Sequence, residues 1–360
     1  MATMDLTSAM RVAGRGVAAA GVIAAGAAVG VLAERALIRR SARFADDDEG
    51  LGALRGEVRE LITADGTRLH VEVDEPDDPA AADLTVIFCH GYALTQDSWH
   101  YQRRDLRGSA RLVFYDQRSH GRSTKAEFDS HHIDQLGHDL AAVIEAVAPE
   151  GPIVLVGHSM GGMSVMAYAE QHPEAIGSRV RGIALVATTA GGVRANTLGM
   201  PGPLGRLVLS WAPPVAEFLA EREHLVEGWS DSDLGLLLTR VYSFGSPASD
   251  QAGRFVAQML AGTSLEVVAD FLPALHEHDK HAMLPILQNA ELLVIVGASD
   301  RLTPPELSEE IVAAVPGAEF AVLGDSGHMV MLERAQEVSE LLSGLMARVR
   351  RDLGATRGAA

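Results

Sequence analysis

Residues 153–162 read Ile-Val-Leu-Val-Gly-His-Ser-Met-Gly-Gly, an apolar run that ends in Gly-x-Ser-x-Gly around Ser159. The helix-forming stretch 163–170 follows at once. Strand, tight turn and helix in that order lift a serine hydroxyl above a sheet edge, where it can act as a nucleophile. Gly157 and Gly161 suit a turn too cramped for side chains. The Met160 N–H, at the start of the new helix, would face an oxyanion forming beside Ser159. A serine of this kind needs a base, and the base needs a carboxylate to fix its tautomer. Both types follow in order. An apolar run at 291–296 ends in Gly-Ala-Ser-Asp300, and one at 320–323 ends in Gly-Asp-Ser-Gly-His328. Upstream, the run 84–89 ends in His90-Gly91-Tyr92. Each useful residue falls just past the C-terminal end of a predicted strand, where open parallel sheets place their sites.

The order Ser159, Asp300, His328, preceded by His90-Gly91, resembles the α/β-hydrolase superfamily from about Glu57 to the C-terminal helix. The resemblance implies a catalytic triad of Ser159, Asp300 and His328, with backbone N–H groups of Tyr92 and Met160 as oxyanion donors. His90, Gly91, Gly157 and Gly161 would shape the supporting loops. Asp300 matches the family's acid after the next-to-last strand; Asp325 is read as a turn former. The segment 115–123, Tyr-Asp-Gln-Arg-Ser-His-Gly-Arg-Ser, resembles the family's Asp-x-Arg-Gly-x-Gly-x-Ser, with Ser119 in place of the first Gly. Asp116 and Arg118 would brace loops, and the departure at Ser119 bears on that turn's shape.

These residues require a frame. Strand patterns at 84–89, 111–115, 153–156, 183–187, 292–296 and 320–323 alternate with helix patterns at 97–106, 133–147, 160–171, 304–315 and 335–350. Such alternation predicts a mostly parallel, doubly wound α/β sheet, its strands buried on both faces. Ahead of it, alternating residues on either side of Ala64-Asp65-Gly66 predict an antiparallel hairpin. The alternation fails at 191–287, where helical periodicity at 214–223, 231–241 and 252–260 predicts an inserted helical cap. Trp211, Phe218, Leu225, Trp229, Leu236, Leu237 and Phe255 would give it an apolar surface. The core is then 56–190 with 288–354, behind a linker at 44–55.

Residues 1–43 stand apart. No charge falls between Gly16 and Ala33, with Arg11 and Arg15 before the run and Arg35, Arg39, Arg40 and Arg43 after it. The length just suffices for a bilayer, but Ala and Gly give little drive for insertion. A membrane anchor with a cytoplasmic catalytic body, a cleaved signal and a soluble extension all fit.

A net charge of −18 argues against nucleic acid or anionic lipid as a partner of the main body. The single cysteine, Cys89, excludes an internal disulfide framework and reads as a buried apolar residue. His276, His278 and His281 lack the second set of ligands that a metal site needs, and read as solvated or cap-facing. No metal or cofactor is implied.

The expected partner is a small apolar ester, with membrane association through the N-terminal segment; oligomeric state is open. The expected activity is serine hydrolysis of that ester through an acyl-enzyme. A carbon–carbon hydrolase, a perhydrolase or haloperoxidase-like enzyme, and a non-catalytic scaffold remain as alternatives on one fold. Epoxide hydrolases and haloalkane dehalogenases of the family use a carboxylate at the elbow, so Ser159 argues against both.

Overall fold

Strands β1 (Glu57–Ile62), β2 (Arg68–Asp74), β3 (Thr85–Cys89), β4 (Arg111–Tyr115), β5 (Ile153–His158), β6 (Val180–Val186), β7 (Glu291–Gly297) and β8 (Glu319–Leu323) form one sheet. Their spatial order is β1-β2-β4-β3-β5-β6-β7-β8. Pairing is antiparallel from β1 through β2 to β4 and parallel from there to β8. The computed structural model describes residues 50–192, 233–246 and 249–358. The N-terminal run, the predicted helix at 214–223, and Trp211, Phe218, Leu225 and Trp229 lie outside these residues. Among the described residues, no single helix is long and apolar enough to cross a membrane.

The helices are α1 (His100–Leu106), α2 (Ile133–Val147), α3 (Met160–Gln171), α4 (Asp233–Ser243), α5 (Asp250–Gly262), α6 (Leu265–Glu277), α7 (Pro305–Ala314), α8 (Val330–Glu333) and α9 (Ala335–Gly358). Side chains alternate between sheet faces with period two, so both faces of the inner strands need cover. Ile87 and Cys89 of β3 pack with Leu140 and Val143 of α2, Val165 and Met166 of α3, and Ile311 of α7. Val86 and Phe88 of the same strand pack with Leu106 of α1 and with Leu342, Leu345 and Val349 of α9. That two-sided burial explains the near-continuous apolar runs.

Four local expectations change. The run at 320–323 was expected to be buried, but β8 is last in the sheet and Val322 is 46% exposed. β6 starts three residues before the expected Ile183 and runs through Gly182. A Cβ at Gly182 would come within 2.8 Å of Val349 Cγ2, so glycine here admits α9 rather than ending the strand. The helix expected at 97–106 opens as a 3₁₀ turn, Gln96–Trp99, before α1. The helix α6 has no counterpart in the sequence reading because Pro273 lies inside it. Its start is capped by Ser264, whose side chain accepts from Val267 N–H.

Helices α4, α5 and α6 belong to the insertion between β6 and β7, with Leu236 and Phe255 half-buried. The two ends of that insertion meet. Lys280 N–H donates to Ala190 O at 2.6 Å, and His278 Nε2 donates to Thr189 O at 3.1 Å. His278 is therefore buried rather than solvated, and burial lowers its pKa to about 4. His281 is exposed to pair with Asp279 and Glu310. Among the described residues, no group of three or more His, Cys, Asp or Glu side chains could hold a metal ion.

Candidate active site

The elbow is built from backbone crowding. Ser159 takes φ 52° and ψ −119°, with its N–H on Val186 O at 3.0 Å and its carbonyl receiving Thr188 Oγ1 at 2.7 Å. A Cβ on Gly157 would lie 2.5 Å from Gly161 O, and one on Gly161 would lie 2.2 Å from Cys89 O. Neither position accepts a side chain, so the two glycines permit a left-handed serine between strand and helix.

Past β7, Asp300 is held by its own turn. One carboxylate oxygen accepts from Leu302 N–H at 2.9 Å and Thr303 N–H at 3.0 Å. The other accepts from Thr303 Oγ1 at 2.8 Å and lies 2.9 Å from His328 Nδ1. Asp300 and His328 are both buried. The loop carrying His328 is tied to the elbow, since His158 Nε2 donates to His328 O at 3.0 Å. The two rings lie 4.8 Å apart. The structure thus brings Asp300 to His328 and the His328 backbone to the residue beside Ser159. It shows no hydrogen bond from Ser159 Oγ to the His328 ring; bonds of this type tighten when substrate arrives.

His90 accepts Gln117 N–H on Nε2 at 2.9 Å, so its Nδ1 carries the proton and donates to Gly91 O at 2.8 Å. Burial, with His120 nearby, lowers His90 to about 3, which keeps it neutral. His120 repeats the pattern, accepting Ala93 N–H at 3.1 Å and donating from Nδ1 to Arg118 O at 2.8 Å. Two neutral imidazoles therefore fix the loop that carries Tyr92. Among the described residues, no protein group accepts the N–H of Tyr92 or of Met160. The Tyr92 phenol is committed elsewhere, donating to Val268 O of α6. Val267, Phe271 and Leu275 of that helix pack with Met160 and Met163.

The remaining motif residues brace loops. Asp116 accepts from Gln96 N–H at 2.8 Å and Arg122 N–H at 2.9 Å, and burial raises it to about 6. Arg118 pairs with Asp139 and Asp65. Ser119 adopts the left-handed turn that glycine would take, with φ 64°, and Asp325 does the same with φ 51°. Burial pushes the Cys89 thiol up to about 12, consistent with an inert core residue.

Thr303 and Glu333 were not anticipated. Glu333 accepts from Gly327 N–H at 2.6 Å, Gly245 N–H at 3.0 Å and Ser246 N–H at 3.1 Å, which clips the His328 loop to the end of α4. Only its spacing after His328 marks it in the sequence. Replacing Glu333 by Ala strands three amides, each costing about 1–3 kcal/mol where water cannot reach. We expect Glu333→Ala to lower stability by about 2–3 kcal/mol, allowing for partial hydration. Urea unfolding measures this; an unchanged midpoint would show that the clip is idle.

The sequence matches the alpha/beta hydrolase family model over residues 86–341. The protein belongs to that family, and it is an alpha/beta-fold hydrolase. It is 40% identical over 89 residues to a bifunctional esterase/perhydrolase of Acinetobacter calcoaceticus, covering 24% of this chain and 32% of that protein. It is 34% identical over 125 residues to an epoxide hydrolase of Caenorhabditis elegans, covering 34% of this chain and 30% of the relative. The chain thus matches about a third of the length of each. A broader match, 23% identical over 286 residues, covers 75% of this chain and 90% of a 2-hydroxy-6-oxononadienedioate/2-hydroxy-6-oxononatrienedioate hydrolase of Escherichia coli. Among solved structures, an esterase from Exiguobacterium antarcticum superposes with a TM-score of 0.64 at 20% identity, over 82% of this chain and 100% of that one. A bromoperoxidase from Bacillus anthracis gives 0.64 at 20% identity, over 81% and 100%. At such identities the structural likeness concerns the fold.

Proposed function

We propose that the protein is a serine hydrolase cleaving a carboxylic ester of a mainly apolar substrate through an acyl-enzyme. The observation that carries this reading is the buried Asp300–His328 pair at 2.9 Å, on a loop bonded to the elbow residue next to Ser159. Ser159 Oγ attacks the carbonyl carbon and passes its proton to His328 Nε2. Asp300 holds Nδ1–H and stabilises the imidazolium. The unclaimed N–H groups of Tyr92 and Met160 receive the oxyanion. His328 then protonates the departing alcohol, and a water it activates releases the acid.

The insertion at 191–287 is the cap in this reading. Its Val267, Phe271 and Leu275 are apolar and pack with Met160, which supports an apolar acyl or alcohol group. The match to 90% of the 2-hydroxy-6-oxononadienedioate/2-hydroxy-6-oxononatrienedioate hydrolase, over 75% of this chain, supports carbon–carbon hydrolysis as a second reading on the same residues.

Initial rates of the full-length protein on p-nitrophenyl esters of graded chain length, beside a vinylogous 1,5-diketone, separate the two. We expect at least a hundredfold preference in kcat/KM for one ester over the diketone, the order of difference that a well-matched site produces. The reverse ranking would move the assignment to carbon–carbon cleavage.

A further inference from the structure

Outside the Ser159 site, a second serine stands on a relay of the same polarity. Ser119 Oγ lies 2.7 Å from His131 Nε2, and His131 Nδ1 lies 3.1 Å from Asp270 Oδ2. Ala126 N–H donates to Ser119 Oγ at 2.9 Å, which leaves the hydroxyl proton to point at the imidazole. One tautomer satisfies all three contacts: Nδ1–H donates to Asp270 and Nε2 accepts from the serine. His131 is buried, with its ring centroid 4.7 Å from that of Phe271. Burial holds His131 below its ordinary pKa, Asp270 opposes this, and Arg118 and Lys125 add to it. The neutral imidazole is the form that accepts a proton.

The residues come from three places: Ser119 after β4, His131 just before α2, and Asp270 on α6. The His131–Asp270 pair is what ties the ring to α6, and Ser119 bonds the far side of the ring. Ser119 also sits at φ 64°, where glycine would fit without strain, so the hydroxyl is kept against a backbone cost. It is half-buried, so part of the residue meets solvent.

We propose that Ser119 is a second activated nucleophile, with His131 as its base and Asp270 as the orienting acid, taking the acyl or phosphonyl group of an activated electrophile. With an aryl ester, the Ser119 Oγ–carbonyl bond forms and the bond to the aryloxide breaks. The hydroxyl proton passes to His131 Nε2 and then to the aryloxide, which leaves as the phenol. With a fluorophosphonate the Oγ–P bond forms, the P–F bond breaks, and fluoride leaves while His131 Nε2 takes the proton and passes it to water. Ser119 N–H is engaged by Thr124 O and His120 N–H by Gln117 O, so neither of these amides is available to an oxyanion. A missing oxyanion donor costs about 10²–10³ in rate. Ser119 therefore reacts with activated reagents stoichiometrically and does not turn esters over.

The test uses full-length Ser159→Ala protein, exposed separately to p-nitrophenyl acetate and to a fluorophosphonate, with adducts located by peptide mass spectrometry. We expect an adduct at Ser119 forming at least tenfold faster than at Ser123, which lies in the same turn. Adding His131→Gln or Asp270→Asn should slow it tenfold or more, and adding Ser119→Gly, suited to the left-handed backbone, should abolish it. Labelling of Ser119 no faster than Ser123 in the Ser159→Ala protein overturns the proposal, as does a rate that His131→Gln leaves unchanged. Labelling of Ser159 in the wild-type chain is read separately, so the two serines stand or fall apart.

Discussion

On the proposed mechanism, Ser159→Ala and His328→Ala should each reduce ester kcat by a factor on the order of 10⁶, with little further loss in the double variant. The physical reason is that nucleophile and base act as one unit: a hydroxyl without an acceptor is no better than water, and an acceptor without the hydroxyl has no task. Residual turnover of about 10³–10⁴ over water would come from the oxyanion donors and substrate binding. His328→Ala should leave the fold intact. The contact from His158 reaches the backbone carbonyl of residue 328, and Gly327 and Met329 are held through their amides, all of which Ala retains. Strictly additive losses in the double variant would show that the two residues do not share a proton.

Asp300→Asn carries the second large effect, on the order of 10⁴ in kcat. The turn decides how the amide must sit. Two backbone N–H groups, of Leu302 and Thr303, point at one carboxylate oxygen and demand an acceptor there. The amide oxygen takes that place and the NH₂ takes the other, facing His328 Nδ1. His328 must then accept on Nδ1 and carry its proton on Nε2, which is the tautomer that cannot receive a proton from serine. Circular dichroism should be unchanged while steady-state turnover collapses. Near-wild-type turnover would move the acid to another carboxylate, with Asp325 next in line.

The sheet was legible because its inner strands are covered on both sides and so read as apolar runs, several of them followed by a residue suited to chemistry. Residue types at strand ends were equally legible. Their partners were not: Glu333 and the His158 contact to His328 depend on which loops meet in space, and no local periodicity encodes that, while Thr303, local to the Asp300 turn, was simply overlooked. The edge position of β8 escaped for a related reason, since an apolar run does not say how many neighbours its strand has. Helix α6 was hidden by Pro273, although Ser264 capping Val267 marks its start. Missing that helix hid Asp270 as well, and with it the His131–Asp270 contact.

The joined ends of the insertion have a consequence for how this chain can change. Contacts from Thr189 and Ala190 to His278 and Lys280 close the loop at its neck, independently of what it contains. A Cβ on Gly191 would meet His281 Cε1 at 2.7 Å and His278 O at 3.2 Å, so the two segments run close together. Closure entropy grows only with the logarithm of loop length, about 0.6 kcal/mol per doubling. Changes of length within the neck therefore cost little in closure, whereas Phe244, Val256 and Met259 pack into the core of the sheet and their contacts must be kept. What is free to drift is thus the amount of chain strung between these anchor points, while the anchor points themselves are shared property of insertion and sheet.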